Sequence, residues 1–146
     1  MVLRKAVVAD IPAIIDVNLR TIPEHYKKEF WEQCIAEHLS HVCLLDDKMI
    51  GYCIAITQNY LSIEKCGIII SIAVLPETRN KGVATSLLHK TWDLMKQKNI
   101  YSCALQVRVT NWTAIKLYEK LNMRQVGIHP KYYPDLESAY IYLKKL

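Results

Sequence analysis

Glycine is scarce in this chain, four among 146 residues, so each one is expected to meet a backbone need rather than loosen a linker. No Pro/Gly/Ser-rich tract, internal repeat or low-complexity segment interrupts the sequence, and residues 1–146 read as a single domain. Long apolar runs are missing as well. The longest stretch without a charge, Met49 to Ile63, has 15 residues and includes Thr57, Gln58, Asn59 and Ser62. A bilayer crossing needs about 20 mostly apolar residues. The start does not read as a signal peptide, because Arg4, Lys5 and Asp10 interrupt it before an apolar core accumulates. The five cysteines are an odd number with no C-x-x-C pair, which excludes a disulfide scaffold or a clustered zinc site. They are expected to be reduced core thiols of a cytoplasmic protein that holds no metal.

Composition then supplies the positive evidence. Hydrophobic residues at 51% and charged residues at 23% suit a globular protein with a real core and exclude a disordered regulator. The net charge of +5 is modest and spread out, which suits a polyanionic small ligand or an RNA-rich neighbourhood, with no nucleic-acid motif to go with it.

Val2 to Val7 reads as a short strand. Asp10 is placed to cap the helix that follows, with Pro12 in its first turn and Ile11, Ile14, Ile15 and Leu19 at helical spacing. Pro23 stops that helix near Thr21, and a second helix is expected from about Lys27 to His38. Val42–Leu45 and Ile50–Ile56 flank Asp46-Asp47-Lys48, a hairpin signal. The nearly continuous apolar run from Gly67 to Val74 predicts a strand covered on both faces. A helix follows from Gly82 to about Gln97, then a strand over Ala104–Val109 and a helix capped by Asn111. Short strands are expected around Gln125-Val126 and Ala139–Tyr142. The order β-α-α-β-β-β-α-β-α-β-β predicts an α/β fold, a mixed central sheet of about seven strands flanked by about four helices.

The segment richest in chemical information runs from Ile72 to Ala84: a buried strand, a turn containing Pro76, an Arg-x-x-Gly-x-Ala stretch, then an amphipathic helix. A helix start exposes unpaired N–H groups and partial positive charge, so it receives anions. Gly82 lets a ligand reach the backbone, and Arg79 and Lys81 add cationic donors. No Walker loop or G-x-G-x-x-G turn is present. The same residues also fit an ordinary strand-to-helix connection. Asn111, Ala114 and Tyr118 on the next helix set them apart.

With those residues in view, the chain resembles the GNAT superfamily of acyl-CoA N-acyltransferases over essentially its whole length. It is most like the catalytic subunit of the N-terminal acetyltransferase A complex and its archaeal relatives. Asn18–Tyr26, the strand-turn-helix, and Pro130–Asp135 carry the likeness. The resemblance implies that acetyl-CoA lies along Ile72, Ala73 and Val74, with its pyrophosphate on the amides of Arg79, Asn80, Lys81, Gly82, Val83 and Ala84, and that Asn111 and Tyr118 touch it. Ala84 stands where many members carry a second glycine. Pro23, Glu24 and Tyr26, with Tyr132 and Tyr133, fall in the family's peptide-binding loops, and His129 beside them reads as a surface residue.

Acetyl transfer to an amine needs a neutral nucleophile, a donor for the developing oxyanion and a proton for the leaving thiolate. The resemblance gives the oxyanion to the Val74 amide and the proton to Tyr118, which helical spacing alone would place in the core. Gln106 stands where relatives often carry a Glu or His base, and Ile68 where they often carry an aromatic. Gln accepts no proton at neutral pH, though its amide can hold a water. Glu24 is then the nearby carboxylate, acting through a water or by attracting an ammonium group. An α-amine is roughly a tenth to a sixth neutral at pH 7 and a lysine only about 0.04%, so a site without a strand carboxylate suits α-amines. The expected activity is acetylation of a free protein or peptide N-terminus by direct attack in a ternary complex. The alternatives are a lysine ε-amine, a ribosomal protein terminus or a polyamine as acceptor, and a non-catalytic acyl-CoA-binding subunit. Ile14, Val17, Phe30, Trp31 and Ile35 on the first two helices are either core or the footing of an auxiliary subunit, such as one at the ribosome.

Overall fold

A computed structural model describes residues 1–146. The strands are β1 (Val2–Lys5), β2 (His41–Leu45), β3 (Lys48–Tyr60), β4 (Ile63–Val74), β5 (Ser102–Arg108), β6 (Arg124–His129) and β7 (Ala139–Lys145). The helices are α1 (Ile11–Thr21), α2 (Lys28–Ile35), α3 (Val83–Gln97) and α4 (Trp112–Lys120). The seven strands form one mixed sheet in the order β1-β2-β3-β4-β5-β7-β6, with β4 and β5 parallel and every other pair antiparallel.

Side-chain alternation along β3 sorts the helices onto two faces. Tyr52 meets Asn18 of α1 and Trp31 of α2, whereas a Cβ at neighbouring Gly51 would meet Leu87 of α3. Gly67 of β4 belongs to the α3 face, where a Cβ would stand 2.6 Å from the Met95 sulfur. The end of the Met95 side chain thus lies directly over the Gly67 backbone. Tyr118 of α4 packs on Tyr142 of β7, which pairs with Leu105, so α4 shares the α3 face.

Three local expectations need correcting. Asp10 makes no side-chain capping bond to α1. Its carboxylate instead takes two bonds from the Arg4 guanidinium, at 2.8 and 2.9 Å, and one from the Val7 amide, which holds its pKa below the usual carboxylate range. Helix α2 stops at Ile35, because residues 36–38 turn back toward β2 and His38 adopts a left-handed φ of 61°. β3 and β4 extend to a two-residue turn at Leu61-Ser62, with φ of 54° and 61°, so the polar end of the charge-free stretch is hairpin. Of the two readings of the apolar stripe on α1 and α2, core holds for Ile14, Val17, Trp31 and Ile35, which are buried against the sheet, and Phe30 is partly open. The Asp46-Asp47 turn forms as expected, both residues at positive φ as a tight hairpin requires.

Candidate active site

The sheet opens where β4 and β5 part. They pair over three residues each, Gly67–Ile69 against Cys103–Leu105, and no further. Opposite β3 the register steps between Ser71 and Ile69, leaving Ile70 as a bulged residue without a partner. A bulge bends its strand and increases twist, and here it turns the end of β4 away from β5. The resulting cleft, of about 100 Å³, is lined by Ile69–Ile72, Leu105–Val107, Ile22, Glu24, Tyr26, Asn111 and Tyr118. Expected residues from four separate parts of the sequence therefore meet at one opening.

On one side of this opening the binding groups are backbone. The Leu75 amide bonds the Ile50 carbonyl of β3 at 2.8 Å. By strand alternation Ala73 also faces β3, so the main-chain groups of Ile72 and Val74 face the open edge. Beyond Pro76–Thr78, Asn80 and Gly82 take positive φ, 63° and 76°, and α3 begins. No side chain caps that helix, and its first bonded amide is that of Ser86, to Gly82 O at 2.9 Å. The amides of Val83, Ala84 and Thr85 remain unpaired at the positive end of a 15-residue helix. A Cβ at Gly82 would meet nothing within 4 Å, so the residue that enters α3 borders open space. Arg79 does not reach outward with its whole side chain, because its Nε donates to Val74 O at 3.0 Å. Asn111 accepts from the Ala114 amide at 3.3 Å, capping α4 at the cleft edge.

On the other side the groups are side chains tied to one another. Arg108, at the end of β5, is the residue that sequence reasoning missed. Its Nε donates to Glu24 at 2.9 Å, a second nitrogen reaches the same carboxylate, and Nη1 donates to Asp135 and Glu137 at 2.8 and 3.0 Å. The guanidinium also lies 4.0 Å over the Tyr133 ring. Burial works against this cation, but the bonds to Glu137, Glu24 and Asp135 outweigh it and raise its pKa. Glu24 is thus paired with a guanidinium rather than standing free beside the cleft. Its loop is pinned from below by buried Asn18, whose Nδ2 donates to Glu24 O and to the Tyr52 hydroxyl, both at 3.0 Å. Pro23 and His25 are exposed, whereas Tyr26 is half-buried, stacked on Phe30 with its phenol pushed up to about 12 by burial.

The paired tyrosines divide their tasks. Tyr133 is buried beneath Arg108, and Tyr132 is exposed, with its hydroxyl donating to Gln106 Oε1 at 3.2 Å. Gln106 also donates to the Tyr60 hydroxyl at 2.8 Å, so phenols take both ends of the amide that was expected to hold a water. Ile68 packs with Cys66 and Ala104 in a small apolar cluster on the same face. His129 is exposed, edge-on to Tyr132.

Tyr118 sits at the throat of the cleft. It is 6% exposed and belongs to the core, as helical spacing alone suggests, yet it also lines the opening. Burial raises its phenol pKa, so it stays protonated and keeps an O–H to donate. All five cysteines are buried and unpaired, with burial pushing Cys53 and Cys103 up to about 12, which leaves them inert as nucleophiles. No three His, Cys, Asp or Glu side chains converge to hold a metal ion, and no helix is long and apolar enough to cross a membrane.

Comparison with known proteins gives these features relatives. The acetyltransferase (GNAT) family matches residues 11–123. An N-alpha-acetyltransferase of Saccharolobus solfataricus is 37% identical over 99% of this chain and 92% of its own length. The catalytic subunit of the N-terminal acetyltransferase A complex of Arabidopsis thaliana is 32% identical over 99% of this chain and 77% of its own. Among solved structures, a chain of the NatB acetyltransferase complex bound to CoA superposes with a TM-score of 0.87 at 26% identity, covering 100% of this chain and 99% of that one.

Proposed function

The chain belongs to the GNAT acetyltransferase family, and from that premise we propose that it acetylates the free N-terminal α-amine of proteins or peptides with acetyl-CoA. Residues 1–146 act in this reading as one cytoplasmic catalytic domain. The observation that carries it is that β4, whose Ile69–Ile72 line the cleft, runs on through a single turn into the uncapped, glycine-entered start of α3.

Acetyl-CoA supplies an activated thioester and an anionic handle. The residues fit such a ligand: unpaired amides over Asn80–Ala84 for the pyrophosphate, Arg79 and Lys81 as neighbouring cations, and the open-edge groups of Ile72 and the N–H of Val74 for an extended amide-bearing thioester arm, with Ala73 between them and Asn111 across the gap. The Val74 N–H is the donor we assign to the acyl oxygen. Tyr118, protonated throughout the physiological range, gives the proton to the sulfur as the C–S bond breaks and the C–N bond forms. The proton the nitrogen sheds leaves to water, from which the phenol is reprotonated.

The acceptor enters between the Pro23–Tyr26 loop and the Lys131–Tyr133 segment. Glu24, Asp135 and Glu137 outnumber Arg108 within their ion-pair cluster, so that cluster attracts an ammonium terminus. Once deprotonated, an α-amine needs little further help, in keeping with Gln106 serving as a scaffold rather than a base. The partner is a peptide or nascent-chain N-terminus. Any auxiliary subunit on α1 and α2 must rest on exposed groups such as Leu19, because the apolar stripe of both helices is already covered.

A peptide library with free and N-blocked termini, incubated with acetyl-CoA while released thiol is followed, tests the reading. Free termini are expected to turn over and blocked ones to be inert. Transfer to blocked, lysine-bearing peptides would overturn it in favour of an ε-amine acceptor.

A further inference from the structure

Tyr60 is the last residue of β3, beside the turn that leads into β4, and lies far in sequence from both flanking loops. Its ring packs on the small cluster of Cys66, Ile68 and Ala104, which fixes where its hydroxyl stands. That hydroxyl accepts from Gln106 Nε2 at 2.8 Å, and Gln106 Oε1 accepts from the Tyr132 hydroxyl at 3.2 Å. The end of a glutamine side chain turns about a broad torsion. Held at its nitrogen, the amide has only its oxygen to offer on the other side.

We infer that Tyr60 is a positioning residue: through Gln106 it holds Tyr132, the exposed phenol of the β6–β7 connection, at the acceptor side of the cleft. The inference rests on the proposed acetylation of peptide termini. Its chemical consequence lies in which partner keeps a hydrogen. A tyrosine has one O–H to give, and Tyr132 spends it on Gln106. The phenol left facing the substrate therefore acts as an acceptor, suited to a peptide N–H or to the incoming amine. The link also ties three segments together, because Tyr60 and Gln106 are 46 residues apart and Gln106 and Tyr132 are 26 apart.

Tyr60→Phe keeps the packed ring and removes the hydroxyl. It is expected to raise the peptide KM about threefold to tenfold, the loss of one hydrogen bond, while the acetyl-CoA KM stays within about twofold. The double variant with Tyr132→Phe is expected to be no worse than Tyr132→Phe alone, because both substitutions cut one chain of bonds. Multiplying effects would overturn the inference. A second readout does not depend on turnover: amide exchange at Leu136, bonded to Tyr133 O, should quicken in Tyr60→Phe while that at Ile22, bonded to Asn18 O, does not. Unchanged exchange at Leu136 would also overturn it. If the wild-type chain acetylates no peptide but exchange responds, the proposed function fails and the tie from Tyr60 to Tyr132 stands.

Discussion

The two sides of the cleft are built from different materials. The α3 side offers main-chain amides that nothing in the chain claims, on a turn shaped by Asn80 and Gly82. The acceptor side offers side chains that already claim one another: Glu24, Arg108, Asp135 and Glu137 around one charge, and Tyr60, Gln106 and Tyr132 along one amide. A backbone cradle suits a ligand whose phosphates and amides are always the same. A web of side chains suits a ligand whose sequence varies, because each residue can be exchanged without refolding the sheet.

That contrast breaks most sharply at Tyr118, where the two sides meet. Tyr118→Phe should lower kcat about 10²-fold while the Kd for acetyl-CoA, measured calorimetrically, changes little. An equal loss in both would make Tyr118 a binding residue. Gly82→Val comes next. A β-branched residue is strained at a φ of 76°, where the chain enters α3 beside open space. The Kd for acetyl-CoA should rise about tenfold or more with the peptide KM nearly fixed. Arg108→Lys should do the reverse, raising the peptide KM about fivefold, because one ammonium cannot reach three carboxylates in fork geometry. Comparable losses on both sides in either variant would erase the distinction.

Acid supplies the smallest test. The Thr110 hydroxyl and then Arg108 lower the Glu137 pKa, and the Glu137 amide and then Arg108 lower that of Asp135. Carboxylates depressed in the folded state stabilise it fully above their unfolded pKa values, about 4, and lose that contribution as pH falls through the folded ones. Between about pH 5 and pH 3, amide exchange in residues 130–138 should accelerate beyond its intrinsic rate, whereas the bonded amides of α3 from Ser86 onward should not respond.

The same contrast governs what the sequence discloses. The strand and helix order, the turn before α3 and the cap at Asn111 follow from periodicity and from residues whose local geometry is demanding. The Leu61-Ser62 turn carries no glycine, asparagine or proline, so β3 and β4 look shorter in sequence than they are. Arg108 looks like a solvated end of a strand, because its partners lie 27, 29 and 84 residues away. Tyr60 gives no local sign either, since its importance depends on where a hairpin ends. The stripe on α1 and α2 is readable as apolar, but only the packing of Trp31 on Tyr52 decides that the sheet covers it.

One consequence follows from the short pairing of β4 with β5. The main-chain ladder between the half-sheets β1–β4 and β5–β7 is stitched by three residue pairs, and the rest of that seam is the gap itself. A molecule that lies in the gap and bonds to the frayed edge acts as the missing thread, mending the sheet as it binds. Occupancy should therefore slow the parting of the two halves more than the same affinity would on an outer surface.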